Sequence, residues 1–194
     1  MATTAAPTHL TPETYLELER KAITKSEYVN GEIIAMAGAS FAHNFITLDT
    51  TISLSRQLMD SDCEVAATGD LRVKAAQTES YFYPDIVVVC GEPEAEDNTF
   101  DTLLNPTLIV EVLSTSTETY DRDEKFAHYR QIDTLQEYIL ISQDSVQVVQ
   151  YRRQTPEWVA TEFRTLEDVV RLSSIACELP LRHIYRRVKF DGDA

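Results

Sequence analysis

A chain of 194 residues is long enough for one well-cored domain and short for two. With 43% apolar and 25% charged residues, 5 Gly and 7 Pro, its composition excludes collagen-like, low-complexity and intrinsically disordered classes. The formal charge of −15 is lopsided, with 25 acidic against 9 basic side chains over residues 1–150 and 8 basic against 5 acidic over residues 151–189; a polyanion is repelled unless the basic C-terminal part, with Arg152, Arg153, Arg182, Arg186, Arg187 and Lys189, lies beside the site.

No stretch approaches the roughly 20 apolar residues of a membrane helix, and "MATTAAPTHLTPETY" lacks the basic-then-apolar layout of a secretory signal. A cytoplasmic protein without a membrane partner is expected, with residues 1–10 as a flexible tail and residues 11–190 as a single domain. In "TPETYLELER" Thr11 can cap a short helix, Pro12 suits its first position and Glu13 complements its dipole. "SEYVNGEIIAMAG" offers two strand runs about Asn30-Gly31, a hairpin signal that sets Glu32 just after the turn. Phe45, Leu48, Ile52 and Met59 recur at helical spacing, with Ser40 as a start for the first long helix. Three strand runs follow, over residues 63–75, 81–91 and 107–114, the last two continuous and largely β-branched as in strands covered on both faces. Between them "EPEAEDNTFDTLLNP" reads as a solvated acidic loop. Asp121, with Glu124 three residues later, resembles a capping box opening a helix to about Ile132, before the strand "EYILIS" and the hairpin-like "SVQVVQYRR".

Cys63, Cys90 and Cys177 are far apart and set among apolar neighbours, so they are expected to be reduced core residues. The histidines show no metal-ligand spacing, which leaves a hard cation on oxygen ligands as the metal to consider. Two acids stand out. Asp85 follows Tyr83-Pro84 at the head of "IVVV", and Glu111 sits inside "LIVEVLS", where an unpaired charge costs several kcal/mol. If these strands are neighbours the carboxylates converge at one sheet edge, an arrangement suited to Mg²⁺.

A Pro-Asp at one strand and a Glu in the next, in the order helix, three strands, helix, strand, resembles the PD-(D/E)XK core of restriction-endonuclease-like proteins. More closely, "SEYVNGEIIAMAG", "YPDIVVV", "LIVEVLSTSTETYDRDEKFAHYR" and "LQEYILI" resemble the Uma-type restriction endonuclease family from about Thr11 to Tyr185. The resemblance implies an α/β fold with a restriction-endonuclease-like core: a central mixed β-sheet flanked by helices, with an N-terminal helix and β-hairpin. It implies that Asp85 and Glu111 ligate Mg²⁺, with Mn²⁺ as a substitute. The motif lysine is displaced: Leu113 stands two positions beyond Glu111, and Lys125 on the next helix is its replacement, suited to orienting a water and offsetting charge at a phosphate.

Glu32 is implied as an additional acidic member of the catalytic set, with Asp70, His43 and Tyr129 as accessory candidates. The activity implied is metal-dependent hydrolysis of phosphodiester bonds in nucleic acid, DNA first, by a homodimer. The rival is a catalytically inactive interaction or dimerisation module of the same fold. Without the resemblance, Asp121 and Lys125 read as an ordinary i,i+4 surface salt bridge.

Overall fold

The computed structural model describes residues 9–36, 38–66, 69–114 and 117–190; the tail expected over residues 1–10 falls almost wholly outside them. Helix α1 (Pro12–Glu19) begins as its sequence dictates, the Thr11 hydroxyl accepting the Thr14 N–H at 3.3 Å with Pro12 in the first turn. Strands β1 (Ser26–Val29) and β2 (Glu32–Ala35) form the expected hairpin, and both turn residues, Asn30 and Gly31, take the positive φ that such a turn requires. Helix α2 (Phe41–Leu58) is capped by Ser40, whose hydroxyl accepts the His43 N–H at 3.0 Å.

Two runs expected as single strands are each divided between two sheets. Residues 63–75 supply β3 (Cys63–Ala66) and β4 (Arg72–Ala75), and residues 81–91 supply β5 (Ser80–Phe82) and β6 (Ile86–Cys90). Strands β4 and β5 join one sheet, β3 and β6 the other. In the second run the break falls at Pro84, which has no N–H to give to a ladder. The acidic connection is not all loop: β7 (Thr102–Leu103) runs parallel to β4. Beyond β8 (Leu108–Leu113), a π-helical stretch, Tyr120–Lys125, runs into α3 (Phe126–Tyr129). Helical geometry starts at residue 118, so Asp121 lies inside the helix and is buried rather than capping it. The chain continues through β9 (Glu137–Ser142), β10 (Val148–Gln154), β11 (Glu157–Phe163), β12 (Val169–Leu172), β13 (Cys177–Pro180) and α4 (Leu181–Ile184).

The six-stranded sheet has the order β11-β10-β9-β8-β6-β3 and the five-stranded sheet the order β2-β1-β5-β4-β7. Strands β8 and β9 are parallel while β6 and β8 are antiparallel, so the central sheet is mixed. Alternation along β6 and β8 deals side chains to two cores. Ile86, Val88, Val110 and Val112 pack with Ile46 and Leu54 of α2 and with Leu181 and Ile184 of α4. Val87, Val89, Ile109 and Leu113 pack with Val73, Phe82 and Tyr129, toward the five-stranded sheet and α3. Each such buried aliphatic side chain stabilises the fold by about 1.5–3 kcal/mol, and burial on both faces explains the uninterrupted apolar runs. Tyr15 and Leu16 of α1 pack with Tyr28 and Tyr81 in a third cluster.

Cys63 and Cys90 are not reduced: they stand opposite one another in β3 and β6 and are joined by a disulfide. Only strand register reveals that pairing, because the two are 27 residues apart in the chain. Cys177 is free and buried, as expected.

Candidate active site

The two predicted acids lie near one another. Ile86 stands opposite Val110 in the antiparallel β6–β8 pair, and Asp85, in the bend just before β6, is close enough to Glu111 of β8 for its charge to act on that carboxyl. The Asp85 Oδ2 accepts the Val112 N–H at 2.7 Å, supplying a hydrogen bond to β8 where Pro84 has ended β6. Its Oδ1 lies 3.2 Å from Nε2 of His43, in the first turn of α2. Both side chains retain some solvent contact, at 21% for Asp85 and 16% for His43.

Glu111 has the cation that its burial demands. Lys125 Nζ lies 3.2 Å from Glu111 Oε1, 2.9 Å from Glu27 Oε1 and 3.2 Å from Asp121 Oδ1, and none of these four side chains is more than 7% exposed. Glu111 accepts a hydrogen bond from the ammonium, and Glu27 and Asp121 pair with it as ions. The Tyr129 O–H also donates to Glu111 Oε1, at 3.2 Å. Glu27 accepts the Tyr83 N–H at 3.3 Å as well, so it ties β1 to the turn that presents Asp85. Asp121 and Lys125 come from one π-helical stretch, a local widening of the helix often found at functional sites.

Three buried carboxylates against one ammonium leave the cluster short of positive charge. Burial drives the Glu111 carboxyl well above the usual carboxylate range; Lys125 opposes this, and the charges of Asp121, Asp85 and Glu27 add to it. Burial alone would lower Lys125, but Glu111, Glu27 and Asp121 outweigh it and hold the ammonium well above the ordinary lysine range. Burial, then Glu111, pushes the Tyr129 phenol upward. Lys125 therefore stays charged while Glu111 takes a proton more readily than an exposed carboxylate.

Of the residues singled out in the sequence, His43 contacts Asp85, Lys125 and Tyr129 contact Glu111, and the Asp85 charge acts on Glu111. Glu32 does not. It stands opposite Val29 on edge strand β2 and is exposed, and Glu27 occupies the interior position expected of it. Asp70 is exposed and pairs with Lys25 at the surface. Glu27 and Asp121 were the members missed. Glu27 lies two residues before the inward-facing Val29, so strand alternation puts it on the same face. Asp121 carried the i,i+4 spacing to Lys125, which reads as a surface pair until both are buried.

Among the described residues no group of three or more His, Cys, Asp or Glu is arranged to hold a metal ion. As oxygen donors, Asp85 and Glu111 are of the kind a hard cation takes one or two at a time, water and phosphate supplying its other ligands, and not the nitrogen and sulfur set of a caged transition metal. Each carboxylate oxygen has more than one acceptor position, so Asp85 keeps capacity beside Val112 and His43.

A family model described as "Uma2: Putative restriction endonuclease" matches residues 12–182. Two Synechocystis sp. proteins, both named only as uncharacterized, are similar: sll1609 is 43% identical over 154 residues, covering 79% of this chain and 86% of its own, and slr1290 is 35% identical over 182 residues, covering 93% and 94%. A crystal structure from Anabaena variabilis, described as "a putative nuclease belonging to DUF820", is similar with a TM-score of 0.78 at 20% identity, over 93% of this chain and 99% of that one. At that identity the likeness concerns the fold. No helix among the described residues is long and apolar enough to cross a membrane.

Proposed function

The chain belongs to the Uma2 family, whose model is described as "Putative restriction endonuclease", and on that premise we propose that it is a metal-dependent nuclease hydrolysing phosphodiester bonds of nucleic acid, DNA first, with Mg²⁺ as its ion and Mn²⁺ as a substitute. One observation carries the reading: Asp85 at the head of β6 lies near Glu111 of β8, and Glu111 belongs to a buried cluster where three carboxylates share a single ammonium. A purely structural ion pair needs one carboxylate per ammonium. The surplus negative charge suits a divalent cation.

Asp85 and Glu111 are the residues that would hold the ion. When bound, such an ion supplies a water of lowered pKa and positive charge at the scissile phosphate. Lys125, paired with three carboxylates, acts as a positioning residue that holds Glu27, Glu111 and Asp121. Tyr129 holds the same Glu111 oxygen by its O–H. His43, beside Asp85 and partly exposed, is placed to meet substrate at the rim. Homodimerisation belongs to this reading: β2 is an edge strand with Ile33 exposed, the kind of open edge through which chains pair.

The test is cleavage of duplex DNA, single-stranded DNA and RNA with Mg²⁺ or Mn²⁺. The wild type should cut at least one of them, and EDTA, Asp85→Asn and Glu111→Gln should each abolish cutting. Metal binding without cleavage of any substrate would select an inactive interaction module instead, a reading favoured by the excess of 25 acidic over 9 basic side chains in residues 1–150.

A further inference from the structure

The acidic surface raises an obstacle for any nucleic-acid enzyme, and the fold answers it by segregating charge. Helix α2 carries one base, Arg56, and one acid, Asp49; from α4 to the end of the described chain, residues 181–190 carry Arg182, Arg186, Arg187 and Lys189 and no acid. These elements pack together, Leu181 and Ile184 sharing a core with Ile46 and Leu54. The two segments carry five cations and one carboxylate of their own, with Glu167 beside Arg182 and Glu178 on the adjoining β13, in a chain whose net charge is −15.

That carboxylate organises the face. Asp49 is 2% exposed and takes both adjacent arginines: Oδ1 accepts from Arg186 Nε at 2.9 Å and Nη2 at 2.6 Å, while Arg187 reaches Oδ2 through Nε at 2.9 Å and Oδ1 through Nη2 at 2.8 Å. The Arg186 side chain remains 56% exposed and that of Arg187 34%, so one charge is neutralised and both guanidiniums are held facing outward. Arg187 also lies 5.0 Å above the Phe45 ring. Beside them a cleft of about 390 Å³ is lined by Arg56, His183 and Arg186 together with Asp49, Ile52, Ser53 and Gln57. Arg56 and Lys189 have no ion-pair partner among the described residues, and Arg182 meets only Glu167, at 3.5 Å with both side chains well exposed.

The same helix reaches the candidate site. His43, in the first turn of α2, contacts Asp85, while Phe45, Asp49 and Arg56, which meet or carry the cations, share one side of the helix roughly 120–160° round its axis from His43. Eighteen helical residues span about 27 Å, the axial length of roughly eight base pairs. We propose that the α2–α4 face is the docking surface for the phosphate backbone of nucleic acid, a positively charged track along α2 whose N-terminal end adjoins the candidate site. It deepens the nuclease reading and rests on it. An otherwise acidic surface then acts with the track, confining a polyanion to the one face that leads to the site.

The test is fluorescence anisotropy with a labelled 20-base-pair duplex and its single strand, in EDTA to prevent cleavage, across a salt series. The variant is the triple substitution Arg56→Ala, Arg182→Ala and Lys189→Ala, which spares Asp49, Arg186, Arg187 and the acidic site; thermal melting confirms its fold. Arg152→Ala, exposed on β10, is the control. Each lost phosphate contact should make the slope of log K against log salt shallower by about 0.9 for duplex or about 0.7 for single strand, with affinity falling on the order of tenfold for the triple variant. Wild-type slopes in the triple variant, equal weakening by Arg152→Ala, or no binding by the wild type would each overturn the proposal. Equally effective displacement by poly-glutamate would reassign the face to acidic polypeptides and overturn it too. Failure here is separable from failure of the nuclease reading: a wild type that cleaves, beside a triple variant that binds and cleaves equally well, removes only the track. Loss of binding in the triple variant with no metal-dependent cleavage by the wild type keeps the track and removes the nuclease.

Discussion

Replacing Lys125 with Met removes the charge from the centre of the cluster while keeping an unbranched apolar stem in its place. Three carboxylates, each side chain 4% exposed, then lose their shared ammonium. Breaking a buried pair by removing one partner costs about 3–5 kcal/mol, because the charge left behind is neither solvated nor paired. Here three partners are abandoned rather than one, but Glu111, already displaced upward by burial, can take a proton and limit the loss. A value near 4 kcal/mol follows, and for a chain of this length each kcal/mol moves Tm by about 2–4 °C, so the melt should fall by roughly 8–16 °C at pH 7.5. The gap should narrow toward pH 5, where Glu111, raised by burial, takes a proton more fully. Thermal melts of both proteins at the two pH values measure it. A drop of about 2 °C or less that does not change with pH would refute the reasoning, since that is what an exposed i,i+4 pair gives.

Glu111→Gln should act in the opposite sense on the pH profile. Burial raises the Glu111 carboxyl in the folded state, so its stabilising contribution is complete below the unfolded value near ~4.3 and is lost as pH rises through the folded one. Relative to wild type, the Gln variant should therefore gain about 1–3 kcal/mol between pH 5 and pH 8, read from urea unfolding midpoints; a difference independent of pH would exclude a strained carboxylate. Tyr129→Phe removes the O–H donated to Glu111 and should lower stability by about 1 kcal/mol, also by urea unfolding. Asp49→Asn weakens the hold on Arg186 and Arg187 and should lower stability by about 1–2 kcal/mol at pH 7, the arginines being partly solvated. In wild type those arginines outweigh the effect of burial and keep the Asp49 carboxyl below the ordinary range, so this contribution is present at neutral pH and fades as pH falls through the folded value.

Much of this was legible in the chain because local chemistry and tertiary structure agree. The Thr11 and Ser40 caps, the Asn30-Gly31 turn and the apolar runs of β8 and β9 appear where local rules put them. Glu111 signalled a partner because a charge amid Ile109, Val110, Val112 and Leu113 must have one, and Lys125 is that partner. What local pattern hides is which sheet a strand joins. Residues 63–75 and 81–91 each look continuous, yet each crosses between sheets, and the crossing at Pro84 is what delivers Asp85 to the edge of β8. The Cys63–Cys90 bond and the burial of Asp121 were hidden for the same reason, since pairing register and helix packing are properties of the assembled fold. Glu27 was the exception, readable from alternation with Val29 and overshadowed by Glu32 after the turn.

The most direct measurement is Mn²⁺ binding followed by electron paramagnetic resonance in the wild type and in Asp85→Asn, whose side-chain oxygen can still accept the Val112 N–H. The wild type should sequester Mn²⁺, release it to excess Mg²⁺, and lose that capacity in the variant. Free Mn²⁺ signals that are the same with and without protein, or binding that survives Asp85→Asn unchanged, would contradict a cation held between Asp85 and Glu111.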